Sequence, residues 1–350
     1  MEIKRIAVDT SKSVFTIHAV DGMERAVDRR DLGRAAFEAY IARQPPTLFV
    51  LEACGGSHHW ARRLQALGHQ VRLIAPQYVK PFVKRGKTDR ADAAAISDAA
   101  SRPDMRYVAL KTAEQQAAMM VISTRELLVR QRTQLVNAVR GHATEFGLVV
   151  AKGISRVEGL LAKLAAAPDE GEGAVPAQAR QMFQVLGEQI RVLDEQIAAL
   201  EARMLEMHKA SPVSRRLAKV PGIGPIVAIT LTVIVDATQF ESGRHMAAWL
   251  GLTPREHSSG GKQRMGGISR AGNERVRQLL VVGATAVIRH AKPGSKSASA
   301  WLLKLLERKP RKLAACALAN KMARIAWAMM TRGEAYRHPG PALAAAQPAV

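Results

Sequence analysis

Four carboxylates in the first hundred residues have the types and settings that metal-assisted phosphoryl transfer requires. Asp9 follows the apolar start of AVDTSK, Glu52 ends TLFVLE, and Asp89 and Asp92 lie three apart in KTDRADA. At that spacing on a helix the last two share a face, with Cβ atoms about 5–6 Å apart. A carboxylate on a first strand, one on a neighbouring strand and two on a later helix can converge on paired Mg²⁺ ions. Such ions, about 3.5–4 Å apart, activate an attacking oxygen and steady a leaving one. Acids placed in apolar strands are costly unless a cation or a partner compensates. Each acid alone has a plainer reading: Asp9 as the start of a turn with Thr10 and Ser11, Asp89 and Asp92 as complements to a helix dipole. The four together, in this order, point to a metal centre made by Asp9, Glu52, Asp89 and Asp92. Asp98 is offset from the pair and reads as a solvated side chain, while Arg85, Lys87 and Arg90 read as phosphate contacts.

A second constellation lies far along the chain. The stretch 251–273 combines glycines, hydroxyls and cations, with Ser259 followed by Gly260 and Gly261. A serine attacks a phosphodiester only when a neighbour takes its proton and cations stabilise the transition state. Arg255, Lys262, Arg264 and Arg270 supply the charge here, and His257 is the candidate base. From chemistry alone the plainer reading is a phosphate-binding loop whose serines only donate hydrogen bonds. Upstream, VPGIGPIVA resembles the hairpin of helix–hairpin–helix modules, in which glycines such as Gly222 and Gly224 expose backbone N–H groups to a DNA phosphate. The alternative is a plain helix-to-helix turn.

These residues need elements to position them. Residues 4–20 alternate and are rich in Val and Ile, which predicts two strands around a turn. A short helix over 33–44 ends at Pro45–Pro46, a buried strand follows at 47–52, a helix at 57–67 and another strand at 68–76. An Ala-rich helix spans 88–100, so residues 1–110 form an α/β domain. Residues 112–148 read as one long helix. After a break holding Pro168, Gly171, Gly173 and Pro176, a second long helix carries Phe183, Leu186, Ile190, Leu193, Ile197, Leu200, Met204 and Met207. Those spacings alternate three and four, the seam of a coiled coil about 37 Å long, so 111–210 is expected to be an arm or dimer contact. Residues 211–338 form a third, mainly helical unit with helices near 274–291, 297–307 and 311–332, and 339–350 is expected to be a disordered tail.

Composition narrows the function classes. The 350 residues carry a net charge of +22. Basic and acidic residues number 18 and 12 over 1–110, 12 and 12 over 111–210, and 22 and 6 over 211–350. A polyanionic partner is therefore expected, with its contacts concentrated in the C-terminal third. No apolar run is long enough to span a bilayer, and no amphipathic helix with an aromatic anchor accompanies the charge, so a membrane partner is not expected. Two cysteines, Cys54 and Cys316, cannot build a disulfide framework or a thiolate zinc site, which fits a reducing cytoplasm.

The motifs AVDTSK, TLFVLEACGG, KTDRADA, PGIGPIVA, GLTPREHSSGG with GGISRAGN, and ANKMARIAW together resemble the DEDD insertion-sequence transposases. The resemblance covers nearly the whole chain except the tail. It implies a RuvC-like domain of RNase H fold, a coiled-coil arm and a mainly α C-terminal transposase domain with a helix–hairpin–helix-like element. It also implies that Asp9, Glu52, Asp89 and Asp92 hold Mg²⁺, and that Ser259, adjoined by Ser258, forms a phosphoserine link with DNA. By the same resemblance the partners are donor and target DNA, a structured guide RNA, and further copies of the chain in a dimer or tetramer. The competing function is a metal-dependent, junction-resolvase-like endonuclease with water as nucleophile and no covalent intermediate. A DNA- or RNA-binding architectural protein would not need four intact acids. A sugar-kinase-like ATPase would need glycine-rich phosphate loops that are missing after the first strand.

Overall fold

The computed structural model describes residues 2–84, 88–151, 153–168, 171, 174–295 and 299–337. By its internal contacts the chain divides into two compact units, Met1–Ala117 and Ala118–Val350. The expected tail lies outside the described residues.

The first unit is built on β1 (Ile3–Thr10), β2 (Val14–Asp21), β3 (Ala26–Gly33), α1 (Arg34–Arg43), β4 (Leu48–Glu52), α2 (Ser57–Ala66), β5 (Gln70–Ile74), α3 (Pro76–Val79), α4 (Asp89–Ala100) and β6 (Tyr107–Val108). The six strands form one sheet in the order β3-β2-β1-β4-β5-β6. β1, β2 and β3 are an antiparallel meander, β4 and β5 run parallel to β1, and β6 closes the far edge antiparallel. This mixed α/β unit is consistent with the RNase H-like expectation. Side chains alternate between the two sheet faces. Ile6, Val8, Phe49 and Leu51 pack on one side with Phe37 of α1 and with Trp60 and Leu64 of α2. Ala7, Val50 and Ile74 pack on the other with Ala95, Ile96 and Ala99 of α4. β3 was not expected from the sequence. Its AVDRRDLG is highly charged because it is an edge strand, where charge deters pairing with other chains.

The second unit holds most of α5 (Ala113–Glu145), then α6 (Val157–Ala165), α7 (Ala177–Ala210), α8 (Pro212–Leu217), α9 (Pro225–Ile234), α10 (Gly243–Trp249), β7 (Pro254–Glu256), β8 (Met265–Ile268), α11 (Glu274–Arg289), α12 (Ala300–Arg308) and α13 (Arg311–Arg332). α5 and α7 are antiparallel neighbours: Arg125 pairs with Glu201 and Arg132 with Asp194. The seam of α7 is filled within one chain. Phe183, Leu186 and Ile190 pack with Val136 and Val139 of α5 and with Leu160 and Leu164 of α6, and Met204 packs with Ile122 and Ile229. Those apolar residues therefore do not by themselves call for a second copy. α6, absent from the sequence reading, supplies part of the cover.

The C-terminal core gathers α8 to α13 around Leu217, Leu231, Met246, Leu280 and Met322. One of its tight points is a backbone crossing. Gly222, in the turn before α9, has φ +88°, and a Cβ on Gly283 of α11 would stand 2.0 Å from the Gly222 carbonyl oxygen. Glycine inside a helix costs about 1 kcal/mol relative to alanine, so its presence here reflects that contact. Gly283→Ala should lower stability by about 1–3 kcal/mol in chemical denaturation, despite its better helix propensity. A variant as stable as the parent would show that the crossing can relax. Among the described residues, no helix is long and apolar enough to cross a membrane, and Cys54 and Cys316 are free thiols.

Candidate active site

Strand parity brings the acids to one place. Asp9 is two residues beyond Ala7, and Glu52 two beyond Val50, so both continue the sheet face that α4 covers. In the parallel pairing of β1 with β4, Val8 lies opposite Leu51, and Asp9 and Glu52 fall one step further, at the carboxyl ends of adjacent strands. Open α/β sheets bind ligands at such ends. α4 begins there too. Thr88 caps it by accepting the Ala91 N–H at 3.2 Å, which places Asp89 and Asp92 in its first turn. The positive end of the helix dipole then offsets part of the acids' mutual repulsion.

One carboxylate oxygen from each of Asp9, Asp89 and Asp92 lies within 4.8 Å of the others. Glu52 stands outside that trio but is close enough to Asp92 to feel its charge. Burial, then Asp92, Asp89 and Glu52, push the Asp9 carboxyl up to about 6. Burial, then Asp92, also raises Glu52. Among the described residues none of the four has an ion-pair partner. The half-buried Asp9, Glu52 and Asp92 and the exposed Asp89, with oxygen-only donors, fit a hard divalent cation such as Mg²⁺ and fit soft thiolate-seeking metals poorly. Arg90 adjoins Asp89 but reaches the other way, its Nη2 donating to Asp31 of β3 at 3.1 Å, so it starts from an exposed ion pair. Arg85 and Lys87 lie outside the described residues.

Around Ser259 the structure is more ordered than a glycine-rich stretch suggests. β7 and β8 form an antiparallel hairpin, and a further bridge pairs Ser259 with Lys262. Gly260 and Gly261 have φ of +56° and +76°, and the Lys262 N–H donates to the Ser259 carbonyl at 3.1 Å. Two successive positive φ angles define the two-residue turn that matches strand twist, and glycine adopts them without a steric penalty. The two serines part company here. Ser258 Oγ accepts the Arg264 N–H at 3.1 Å, whereas the Ser259 hydroxyl has no partner among the described residues and sits exposed beside the turn. Lys262 and Arg264 are also exposed, while Arg255 folds back to donate to the Ser269 carbonyl at 3.1 Å. Arg270, exposed and at φ +56°, turns the chain out of β8.

The hairpin's base is firm. Ser269 N–H donates to the Thr253 carbonyl at 2.8 Å, and Asn273 caps α11 by accepting the Val276 N–H. Arg277, only 8% exposed, donates to the carbonyls of Leu250 at 3.1 Å and Ala271 at 2.7 Å. The sequence reading missed this residue. Its signal was a cation beside Val276 and Leu280 on the apolar face of an amphipathic helix. Arg277→Met should strand both carbonyls and cost roughly 2–4 kcal/mol, with faster proteolysis of 257–264. Unchanged melting and proteolysis would dismiss that anchoring role. Of the two glycines read as phosphate contacts, Gly224 is exposed at the N-terminus of α9, which has no side-chain cap. Gly222 instead lies packed against Gly283.

Comparison with known proteins covers the regions that hold both constellations. A family profile described as Transposase IS116/IS110/IS902 family matches residues 214–299, and a DEDD-type profile described as Transposase matches 6–147. The Sinorhizobium fredii protein y4pF/y4sB, which carries a transposase name, is 52% identical over 338 residues, covering 96% of this chain and 86% of the relative. The transposase for insertion sequence element IS1111A of Coxiella burnetii is 40% identical, covering 96% of this chain and 92% of that protein. The transposase for element IS1328 of Yersinia enterocolitica is 37% identical, covering 95% and 98%. With this likeness running from the acidic cluster through the serine hairpin, the chain belongs to the IS116/IS110/IS902 family of transposases.

Proposed function

We propose that this transposase cuts and rejoins DNA through a covalent phosphoserine intermediate on Ser259, and that the reaction also requires the acids Asp9, Glu52, Asp89 and Asp92. The observation that carries the reading is the convergence of Asp9, Asp89 and Asp92 in a family of DNA-rearranging enzymes. The Ser259 hydroxyl, without a partner among the described residues and at the tip of a firmly based hairpin, supports the choice of nucleophile.

In the cutting step a bond forms between Ser259 Oγ and phosphorus while the bond from that phosphorus to one sugar oxygen breaks. The serine proton passes to a base, for which His257 is the candidate, and the freed sugar oxygen takes up a proton. The number of phosphate esters is unchanged, so rejoining is the same reaction run backwards with another strand's hydroxyl as the attacker. Lys262, Arg264 and Arg270, all exposed on or beside the hairpin, would neutralise the phosphate in both directions. Arg255 would join them on leaving Ser269, Gly224 would offer its backbone N–H, and Lys87 and Arg90 would serve the acidic site. The four acids would hold Mg²⁺, which when bound supplies Lewis-acid stabilisation of charge on phosphate oxygens. A structured guide RNA and assembly into a dimer or tetramer belong to the same reading, and the net charge of +22 suits a nucleic-acid partner.

The test is to quench reactions on labelled DNA with denaturant and look for protein-linked product. The parent chain should yield it and Ser259→Ala should not, while DNA binding survives. An adduct that persists without Ser259 would overturn the assignment, and cleavage without any adduct would favour the hydrolytic, resolvase-like alternative.

A further inference from the structure

The second unit carries a cleft that neither constellation uses. It has a volume of about 970 Å³ and opens between α10, α12 and α13, with Pro254 of β7 and Ile268 of β8 on its border. The cleft therefore starts at the foot of the hairpin whose tip bears Ser259. Among the described residues three cations line it, Arg244, Lys321 and Arg324, and no carboxylate does. Trp301 is 41% exposed at its edge, a large aromatic left outside the core in a chain with 4 tryptophans. Lys321 Nζ sits 4.4 Å from the centre of that ring. Burial, then the neighbouring Arg324, lowers the pKa of the Lys321 ammonium, and an anion entering the cleft would offset the repulsion between the two cations. The floor is stiff. A Cβ on Gly243 would come within 3.0 Å of Arg324 backbone atoms, and the Trp327 indole N–H donates to the Ala237 and Phe240 carbonyls at 3.1 Å.

This combination has a specific chemistry. Cations without acids suit phosphates, and an exposed indole with a cation over one face can take the face of a nucleobase on the other. A duplex keeps its base faces stacked on one another and presents only edges. We propose that the cleft binds an unpaired strand of DNA leading to or from the Ser259 hairpin, with phosphates against Arg244, Lys321 and Arg324 and a base stacked at Trp301. The assignment to DNA rests on the proposed function, since the strand is the one that hairpin would cut.

The experiment measures fluorescence anisotropy of the full-length chain with a short single-stranded DNA, its duplex and the RNA of the same sequence. Trp301→Ala should weaken single-stranded DNA roughly 5- to 100-fold, Trp301→Phe should retain most of the affinity, and duplex binding should change less than about twofold. Arg324→Gln should reduce the logarithmic salt slope for the single strand by roughly 0.7, the loss of one phosphate contact. Trp301 lies at the surface and Arg324 is exposed, and equal melting temperatures would confirm intact folds. An equal loss on duplex, no loss at all, or a loss confined to RNA would each overturn the proposal. If the parent chain binds DNA and yields Ser259 adducts while Trp301→Ala changes nothing, the cleft assignment fails alone. If the parent binds no DNA, the functional reading fails with it.

Discussion

Ser259→Ala is expected to abolish protein-linked DNA and to slow strand joining by about three to six orders of magnitude, whereas Ser258→Ala stays within about tenfold of the parent. The first figure follows from removing the only atom that forms the covalent bond, for which nucleophile deletions elsewhere set the scale. The second follows from the hairpin. Ser258 Oγ accepts the Arg264 N–H on the exposed tip, so its loss removes one hydrogen bond worth about 0.5–1.5 kcal/mol and loosens the register modestly. Adjacent serines that differ only in hydrogen bonding thus become distinguishable by outcome. Denaturing gels of labelled DNA, with single-turnover rates for both variants, supply the comparison. Adduct kept by Ser259→Ala and lost by Ser258→Ala would move the nucleophile one residue back.

The distribution of stiffness around that serine bears on the same result. Arg277, Asn273 and the Ser269–Thr253 backbone pair fix the foot of the hairpin, while positions 255–267 are exposed. A nucleophile on such a projection can meet a phosphate from outside the fold. A buried serine would require the DNA backbone to enter the protein. The exposed hydroxyl has little intrinsic reactivity, so substrate and cations must arrive together for attack to occur.

Much of the first site is legible in the sequence. Period-two alternation sets Asp9 on the face of Ala7 and Glu52 on the face of Val50, and the Thr88 cap fixes where α4 begins. What alternation could not supply was distance: Asp89 and Asp92 join Asp9 in a tight trio while Glu52 stands aside. That depends on how α4 lies across β1 and β4, a tertiary property. The hairpin was less legible. Residues 254–268 have few apolar positions and many glycines, so a two-stranded ribbon held by its foot reads as a loop. β3 was hidden for the opposite reason, since an edge strand needs little hydrophobicity. The seam of α7 was visible, but periodicity does not say which helix fills it, and α5 and α6 of the same chain do so. Gly222 looked like a phosphate contact because glycines recur in such turns, yet its partner is Gly283, more than fifty residues away in sequence.

Asp9→Asn should abolish the metal-dependent chemistry and at the same time make the metal-free protein more stable. The Asp9 carboxyl, ordinarily near 3.8, is pushed up to about 6 by burial and by Asp92, Asp89 and Glu52. A raised carboxylate means that the folded state holds its proton more tightly than the unfolded state. This group therefore favours folding most below about pH 4, and stability declines as pH rises towards 6. Above 6 the full penalty of the ionised form stands. Discounted for partial exposure and solvent screening, that penalty is roughly 1–2 kcal/mol near pH 7.5. Asparagine keeps the shape without the charge, so in chelator at pH 7.5 its melting temperature should exceed the parent's by a few degrees, and the gap should narrow by pH 5. Added Mg²⁺ should raise the parent's melting temperature and close the gap, because an ion held only by the folded state stabilises it by mass action. The same addition should move Asp9→Asn far less, and its activity should fall by about a hundredfold or more. A variant less stable than the parent in chelator, or equally stabilised by Mg²⁺, would show that Asp9 is held by structure and not by a cation, because a shared metal ligand must trade stability in its absence for binding in its presence.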